Sequence, residues 1–253
     1  MDQNQKMTVG STGSWREQWR SVLTAITWVQ SQEEKNALLK QLVEPLESVK
    51  TLGFVNAHAM NIAAENRQFA LDLASCDWLL RDGSGMKILT GKLNVSAGLN
   101  MNGTDLIPEI ISAYRDKTVA LWGTKSPNLE TAATNLASRY GVNVVSVLDG
   151  FAPAQHYLDE FSRSKPELVI LAMGMPKQES LAAMLRQSGI ENGCLVVCGG
   201  AILDFLSGAI TRAPRVYRIL GLEWLYRLFH EPNRLFRRYV IGNPLFMWRM
   251  WML

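Results

Sequence analysis

Residues 78–89 read WLLRDGSGMKIL. The apolar run stops at Arg81-Asp82-Gly83, and a second glycine, Gly85, follows two residues later. This is the signature of a buried strand that ends in a glycine turn and opens a helix. Asp82 sits at the joint between them. Either it caps the helix, or it is a reactive carboxylate held at the mouth of a pocket.

Working outward, the same rhythm recurs. Short apolar runs stand at TLGFVN (51–56), CDWLL (76–80), TVALWG (118–123), VNVVSVL (142–148), LVILAM (168–173) and CLVVCG (194–199). Amphipathic stretches lie between them, near 59–74, 104–115, 127–140, 154–164 and 177–188. Strands buried on both faces read as continuous apolar runs, and the intervening helices supply the crossovers. The pattern predicts an α/β fold: a doubly wound, mainly parallel, Rossmann-like sheet with helices on both faces.

Before the first strand, Trp15, Trp19, Val22, Leu23 and Ile26 recur at helical spacing, and the helical pattern runs to about Glu47. Residues 1–14 read as a disordered tail. Beyond Leu206 the strand rhythm ends. Segments 215–230 and 232–253 read as arginine-rich helices interleaved with aromatic residues, with Pro232 at a helix start and Gly242-Asn243-Pro244 at a break. The predicted organisation is therefore a tail over 1–14, an α/β domain over 15–206 and a helical appendage over 207–253.

Composition narrows the class. The 253 residues are 47% hydrophobic, enough for a sizeable core. No apolar run reaches the roughly 18 residues of a membrane-spanning helix. The polar start MDQNQKMTVGSTGS lacks the apolar centre of a signal peptide, so a cytosolic chain is expected. Three cysteines, Cys76, Cys194 and Cys198, do not make a disulfide framework, and three scattered histidines do not make a zinc site. The net charge of +3 is uneven. From Ala201 onward every lysine or arginine position is an arginine, opposed by only Asp204, Glu223 and Glu231, which points to an anionic partner for that end. Large apolar groups alternate with these arginines, which argues against a nucleic-acid face.

In an open parallel sheet, ligands bind beyond the carboxyl ends of the strands. The residues there are Asn56, Asp82, the turns 123–126 and 149–151, the segment GMPKQE (174–179), and Gly199-Gly200. Glycines let backbone N–H groups approach a ligand, and helix N-termini favour phosphate. Several standard motifs are missing. The chain has no Gly-x-x-x-x-Gly-Lys-Ser/Thr loop, no Gly-x-Gly-x-x-Gly after the first strand and no Gly-x-Ser-x-Gly elbow. It also has no Asp-x-Asp pair for a divalent metal on a diphosphate, so fixed donors would have to neutralise such a leaving group. A nicotinamide-dependent oxidoreductase is disfavoured by the missing glycine fingerprint.

DGSGMKILTGKL, NGTDLIPEI, GMPKQE, GGAILDFLSG, and TRAP with GLEWLYRLFHEPNRLFRRY follow one another in order. Together, from about Leu52 to Tyr239, they resemble the WecG/TagA/CpsF family of bacterial glycosyltransferases. The resemblance implies transfer of a hexose or N-acetylhexosamine from a UDP-sugar to a saccharide carried on undecaprenyl diphosphate, in surface or exopolysaccharide synthesis. It implies inversion at the anomeric centre, no metal and no cofactor. It implies a location on the inner face of the cytoplasmic membrane, with an anionic membrane surface as partner. A homo-oligomer stays open, as does a non-catalytic, UDP-binding scaffold of the same fold.

Position by position, the resemblance puts Asp82 on the family's general base, with the helix cap as the alternative. Asn56 falls on an asparagine that meets sugar hydroxyls. Gly103, Thr104 and Asp105 fall on a turn and helix start, where Asp105 is equally readable as a cap. Phe151 falls near the uracil, or in the core. Gln178 would hydrogen-bond the nucleotide or sugar, and Asp204 the uridine, unless it merely starts a helix. Arg212, Arg215, Arg218, Arg227, Arg234, Arg237 and Arg238 would meet diphosphates and anionic lipid, and the tail carrying them would dock on the membrane and complete the active site. Lys125 and Lys177 are either phosphate neighbours or solvated. The chain departs from the family pattern at Phe54, where a threonine is common, and at Asn100, where an arginine is common.

Overall fold

The computed structural model describes residues 14–253. The reading of residues 1–13 as part of a disordered tail lies outside the described residues. The six apolar runs form six parallel strands: β1 (Val49–Val55), β2 (Trp78–Arg81), β3 (Thr118–Gly123), β4 (Asn143–Leu148), β5 (Leu168–Ala172) and β6 (Cys194–Cys198). They lie in one sheet in the order β2-β1-β6-β5-β3-β4. The chain thus winds outward through β2 on one side and through β3 and β4 on the other, and β5 and β6 fill the centre.

Helices cover both faces. In chain order they are α1 (Trp15–Thr24), α2 (Gln32–Val43), α3 (Ala57–Glu65), α4 (Arg67–Ala74), α5 (Ser84–Lys92), α6 (Gly103–Ala113), α7 (Asn128–Tyr140), α8 (Ala154–Ser164), α9 (Lys177–Gln187) and α10 (Ile202–Leu206). The C-terminal region adds α11 (Arg215–Ile219), α12 (Glu223–His230), α13 (Pro232–Phe236), a π-helical turn (Arg237–Ile241) and α14 (Gly242–Trp251). Side chains alternate across the strands. Leu52, Phe54, Leu121 and Ile170 join one core with residues of α2, α6 and α7. On the opposite face, Val55 and Leu79 pack with α1, α3, α4 and Phe246 of α14, while Trp122 and Leu171 pack with α8 and α9. Cys194 and Cys198 are free thiols buried in that last cluster.

Four helix boundaries depart from the sequence reading, each for a local reason. The N-terminal helical run divides because Ile26 bridges Leu79 and Thr27 N–H donates to the Leu79 carbonyl, which shields the outer edge of β2. The Ser31 side chain then caps α2 through Glu34 N–H. The 59–74 stretch divides at Asn66, whose side chain caps α4 through Phe69 N–H. The break expected at Gly242-Asn243-Pro244 is absent. Gly242 keeps right-handed helical angles, and the π-helical turn runs directly into α14. Pro244 stands just past the junction of the π-helical turn and α14, where the hydrogen-bond ladder changes register. The 215–230 segment, in contrast, is interrupted at Gly221, whose φ of 69° suits glycine.

Candidate active site

The carboxyl ends of all six strands open into one cavity of about 830 Å³. Phe54 and Asn56 come from the end of β1, Asp82 follows β2, Thr124 and Lys125 follow β3, Gly150 and Phe151 follow β4, Gly174 follows β5 with Gln178 in the first turn of α9, and Gly199 and Gly200 follow β6. A second cavity, of about 330 Å³, lies between α3, α5 and the C-terminal helices. Six residues belong to both walls: Asn56, His58, Asp82, Thr104, Arg227 and Arg238. The two cavities therefore meet at Asp82.

Asp82 is not a helix cap. Gly83, with φ 87°, holds the N-cap position of α5, and no side chain caps there. Burial pushes the Asp82 carboxyl above its ordinary value, against the pull of Arg238, the Asn56 carboxamide, Arg227 and Arg81. Its backbone is fixed on both sides. Asp82 N–H donates to the Val55 carbonyl at 2.8 Å, and Gly83 N–H donates to Asn100 Oδ1 at 2.8 Å. The buried Arg81 guanidinium donates to the carbonyls of Ala97 (2.8 Å), Gly98 (3.1 Å) and Gly83 (3.1 Å). Asn100, one of the two departures from the family pattern, thus holds the turn that carries Asp82 and also lines the smaller cavity. Phe54, the other departure, is buried under the larger cavity, near where a Cβ on Gly103 would stand.

The remaining residues singled out from sequence fall into two groups. Asn56 caps α3 through Ala59 N–H at 3.0 Å and lines both cavities. Gly103 and Thr104 begin α6, whose cap is Asn102 rather than Asp105. Phe151 is 65% exposed at the rim, with Lys125 Nζ 5.1 Å from its ring centre, so it is not a core residue. Asp204 Oδ1 accepts from Thr124 Oγ1 and from Asn128 Nδ2. Gln178 is fully buried, and its Oε1 accepts from Gly174 N–H (3.3 Å) and Gly200 N–H (3.0 Å). It braces two turns of the larger cavity. Lys177 donates to the Gly150 and Ala152 carbonyls, so it ties two loops together rather than pointing into solvent. Arg218 lines the smaller cavity and Arg227 both. Asp105, Arg212 and Arg215 line neither. Asp105 pairs with Arg212 beside the site, and its carboxyl is held below its ordinary value by Arg212 and Asn102 despite burial.

Several site residues escaped sequence reasoning. His58 lines both cavities, and burial, helped by the Arg238 charge, lowers its imidazole to about 4, so the ring is neutral at pH 7. Behind the cavity walls, outside either lining, Glu179 is 1% exposed, and burial raises it to about 7. Its Oε1 accepts from Gln178 Nε2 at 2.7 Å, while Oε2 has no partner. Glu223 and Trp224 line the smaller cavity. Arg234 and Arg237, which the arginine run did mark as diphosphate partners, line the larger. Nothing in the local sequence marked His58 or Glu223.

Among the described residues no three His, Cys, Asp or Glu side chains converge as a metal-binding group. The family model described as Glycosyl transferase WecG/TagA/CpsF family matches residues 23–253.

Proposed function

The chain belongs to the WecG/TagA/CpsF family of glycosyltransferases, and from that premise we propose that it moves a hexose or N-acetylhexosamine from a UDP-sugar to an undecaprenyl-diphosphate-linked saccharide, with inversion and without a metal. The donor occupies the larger cavity and the acceptor sugar the smaller. The observation that carries this reading is the shared wall, where a single carboxylate, Asp82, faces both spaces.

Asp82 takes the proton from the acceptor hydroxyl as that oxygen bonds to the anomeric carbon. The bond from that carbon to the diphosphate breaks on the far side, and UDP leaves with the electron pair. The raised basicity of Asp82 suits it to this task, and Asn56 and the fixed Gly83 turn hold it in place. Arg227, Arg234, Arg237 and Arg238, with the N-termini of α6 and α9, offset the charge on the leaving diphosphate. Phe151, exposed over Lys125, offers a face for the base.

The C-terminal region supports a membrane-borne acceptor. Ile219, Phe229 and Trp251 are 72%, 75% and 76% exposed, and arginines stand between such residues. A surface of that kind seats in the headgroup boundary of an anionic bilayer. No helix among the described residues is long and apolar enough to cross a membrane, so the proposed attachment is peripheral, in exopolysaccharide or related surface-glycan synthesis.

The test is release of UDP from a panel of UDP-hexoses and UDP-N-acetylhexosamines, with undecaprenyl-diphosphate monosaccharides as acceptors, in EDTA. Turnover of one donor in EDTA, lost in Asp82→Asn, is the expected result. Turnover restored only by a divalent metal would remove the metal-independent part, and UDP binding with no transfer to any acceptor would overturn the whole.

A further inference from the structure

The smaller cavity holds a carboxylate that the chemistry above does not use. Glu223 opens α12 and lines this cavity with Asp82. Among the described residues nothing donates a hydrogen bond to the Glu223 carboxylate, and no Lys or Arg lies within ion-pair distance of it. The charged groups around it are Arg212, Arg227, Asp82 and Asp105. Both of these arginines are committed elsewhere: Arg212 to Asp105, and Arg227 to Glu231 at 3.7 Å. Burial raises the Glu223 carboxyl, and the Asp82 charge adds to that effect against the pull of Arg212. Keeping an unpaired carboxylate in a half-closed wall costs free energy unless a ligand supplies donors.

We propose that Glu223 is the acceptor-specificity residue, receiving hydrogen bonds from hydroxyls of the acceptor sugar and so fixing which hydroxyl reaches Asp82. This rests on the two-cavity reading above. The chemistry of the wall selects the ligand class. An ionised carboxylate only accepts hydrogen bonds, so it repels phosphate and pairs with the vicinal hydroxyls of a sugar. Asn100, Asn102 and Asn243 supply the mixed donors and acceptors that the remaining hydroxyls need, and Trp224 supplies an aromatic surface for the ring's C–H face. Arg218, in the same wall, suits the diphosphate that follows the sugar. Because Glu223 and Trp224 belong to the C-terminal helices and Asp82 to the sheet, acceptor choice and proton transfer reside on different parts of the chain.

The experiment has two arms, run on wild type, Glu223→Gln and Glu223→Ala, with UDP affinity measured by calorimetry in each. In the first, steady-state kinetics use the undecaprenyl-diphosphate monosaccharide that turns over. The acceptor KM is expected to rise about 10-fold to 100-fold, the effect of losing hydrogen bonds to a charged group. The kcat and the UDP affinity stay within about threefold. A deoxy acceptor lacking the contacted hydroxyl should lose the same factor with wild type and nothing further with Glu223→Gln. In the second arm, saturation-transfer NMR of methyl β-glucopyranoside and methyl N-acetyl-β-glucosaminide needs no turnover. One glycoside should show transfer with wild type that Glu223→Gln abolishes. Unchanged acceptor KM, equal NMR signals, or a fall in UDP affinity alongside KM would overturn the assignment. So would a kcat loss like that of Asp82→Asn at constant KM, which would make Glu223 part of the proton transfer. Failure of wild type to bind UDP would sink the function proposed above, while the NMR arm would still decide Glu223.

Discussion

The two walls of the site are built in opposite ways. On the sheet side, the groups that hold the turns around Asp82 and Gly200 are spoken for. The three N–H donors of Arg81 named above end on carbonyls, Asn100 holds Gly83, and Gln178 Oε1 takes two glycine N–H groups. On the C-terminal side, several buried donors are not. The buried Nε atoms of Arg212, Arg227 and Arg238 have no partner, no residue of α11 or α12 is fully buried, and large apolar side chains face outward. Satisfied networks rigidify, whereas buried unpaired donors cost energy until something fills them. The difference teaches that one wall is preorganised for chemistry and the other is completed by what it binds.

The largest effect expected from this contrast lies on the rigid side. Asp82→Asn keeps the shape but cannot take a proton, and kcat should fall roughly 10²-fold to 10⁴-fold with UDP affinity intact. A loss below tenfold would make the preorganised wall a binding surface only. The next effect crosses between walls. Arg238 lowers the Asp82 carboxyl against burial, so Arg238→Gln should raise it further. Because the base works only when ionised, the acid limb of the kcat/KM profile should move to higher pH. A limb that stays put would separate the walls electrostatically. Turnover should also fall by about 10-fold to 100-fold as one diphosphate partner disappears.

A smaller effect belongs to the open wall alone. Trp248→Ala with Trp251→Ala should weaken sedimentation with vesicles containing anionic lipid by about tenfold, leaving UDP affinity unchanged. Equal binding would show that the exposed aromatics serve another purpose. The smallest effect sharpens the rigid side. Glu179 rises from 4.5 to about 7 on burial, so the folded chain keeps a proton that the unfolded chain releases. Stability should therefore decline as pH rises from about 4.5 to about 7 and level off above, by at most about 3 kcal/mol. Glu179→Gln should flatten that slope in urea unfolding at pH 5 and pH 8.

The sheet was legible because five of its strands are almost wholly buried and read as apolar runs, while the half-exposed edge strand β4 still reads as VNVVSVL. The rim was legible for the same reason, since topology alone puts strand ends together. Whether a rim side chain is free was not legible. Gln178 and Lys177 look like ligand groups in sequence, yet both are consumed by backbone atoms from other loops. Glu223 has the reverse problem: it reads as one acid among arginines, and only folding shows that neither Arg212 nor Arg227 pairs with it. The splits at residues 25–31 and at Asn66 depend on a bridge to Leu79 and on a cap, which helical periodicity does not record.

The docking of α14 has one more consequence. Phe246 packs 5.5 Å from Trp19 inside the α1–α3 core, Arg249 pairs with Glu65, and Lys92 donates to the carbonyls of Met250 and Trp251. The chain passes from the sheet after Leu206, touches the α/β domain at the Arg212–Asp105 pair and packs into its core from Phe246, so residues 207–241 form a strap held at both ends rather than a free tail. A doubly tethered strap has already given up most of its wandering, and closing it over a bound molecule surrenders little more. The arginines it carries stay at high local concentration over the strand ends through every cycle of binding and release.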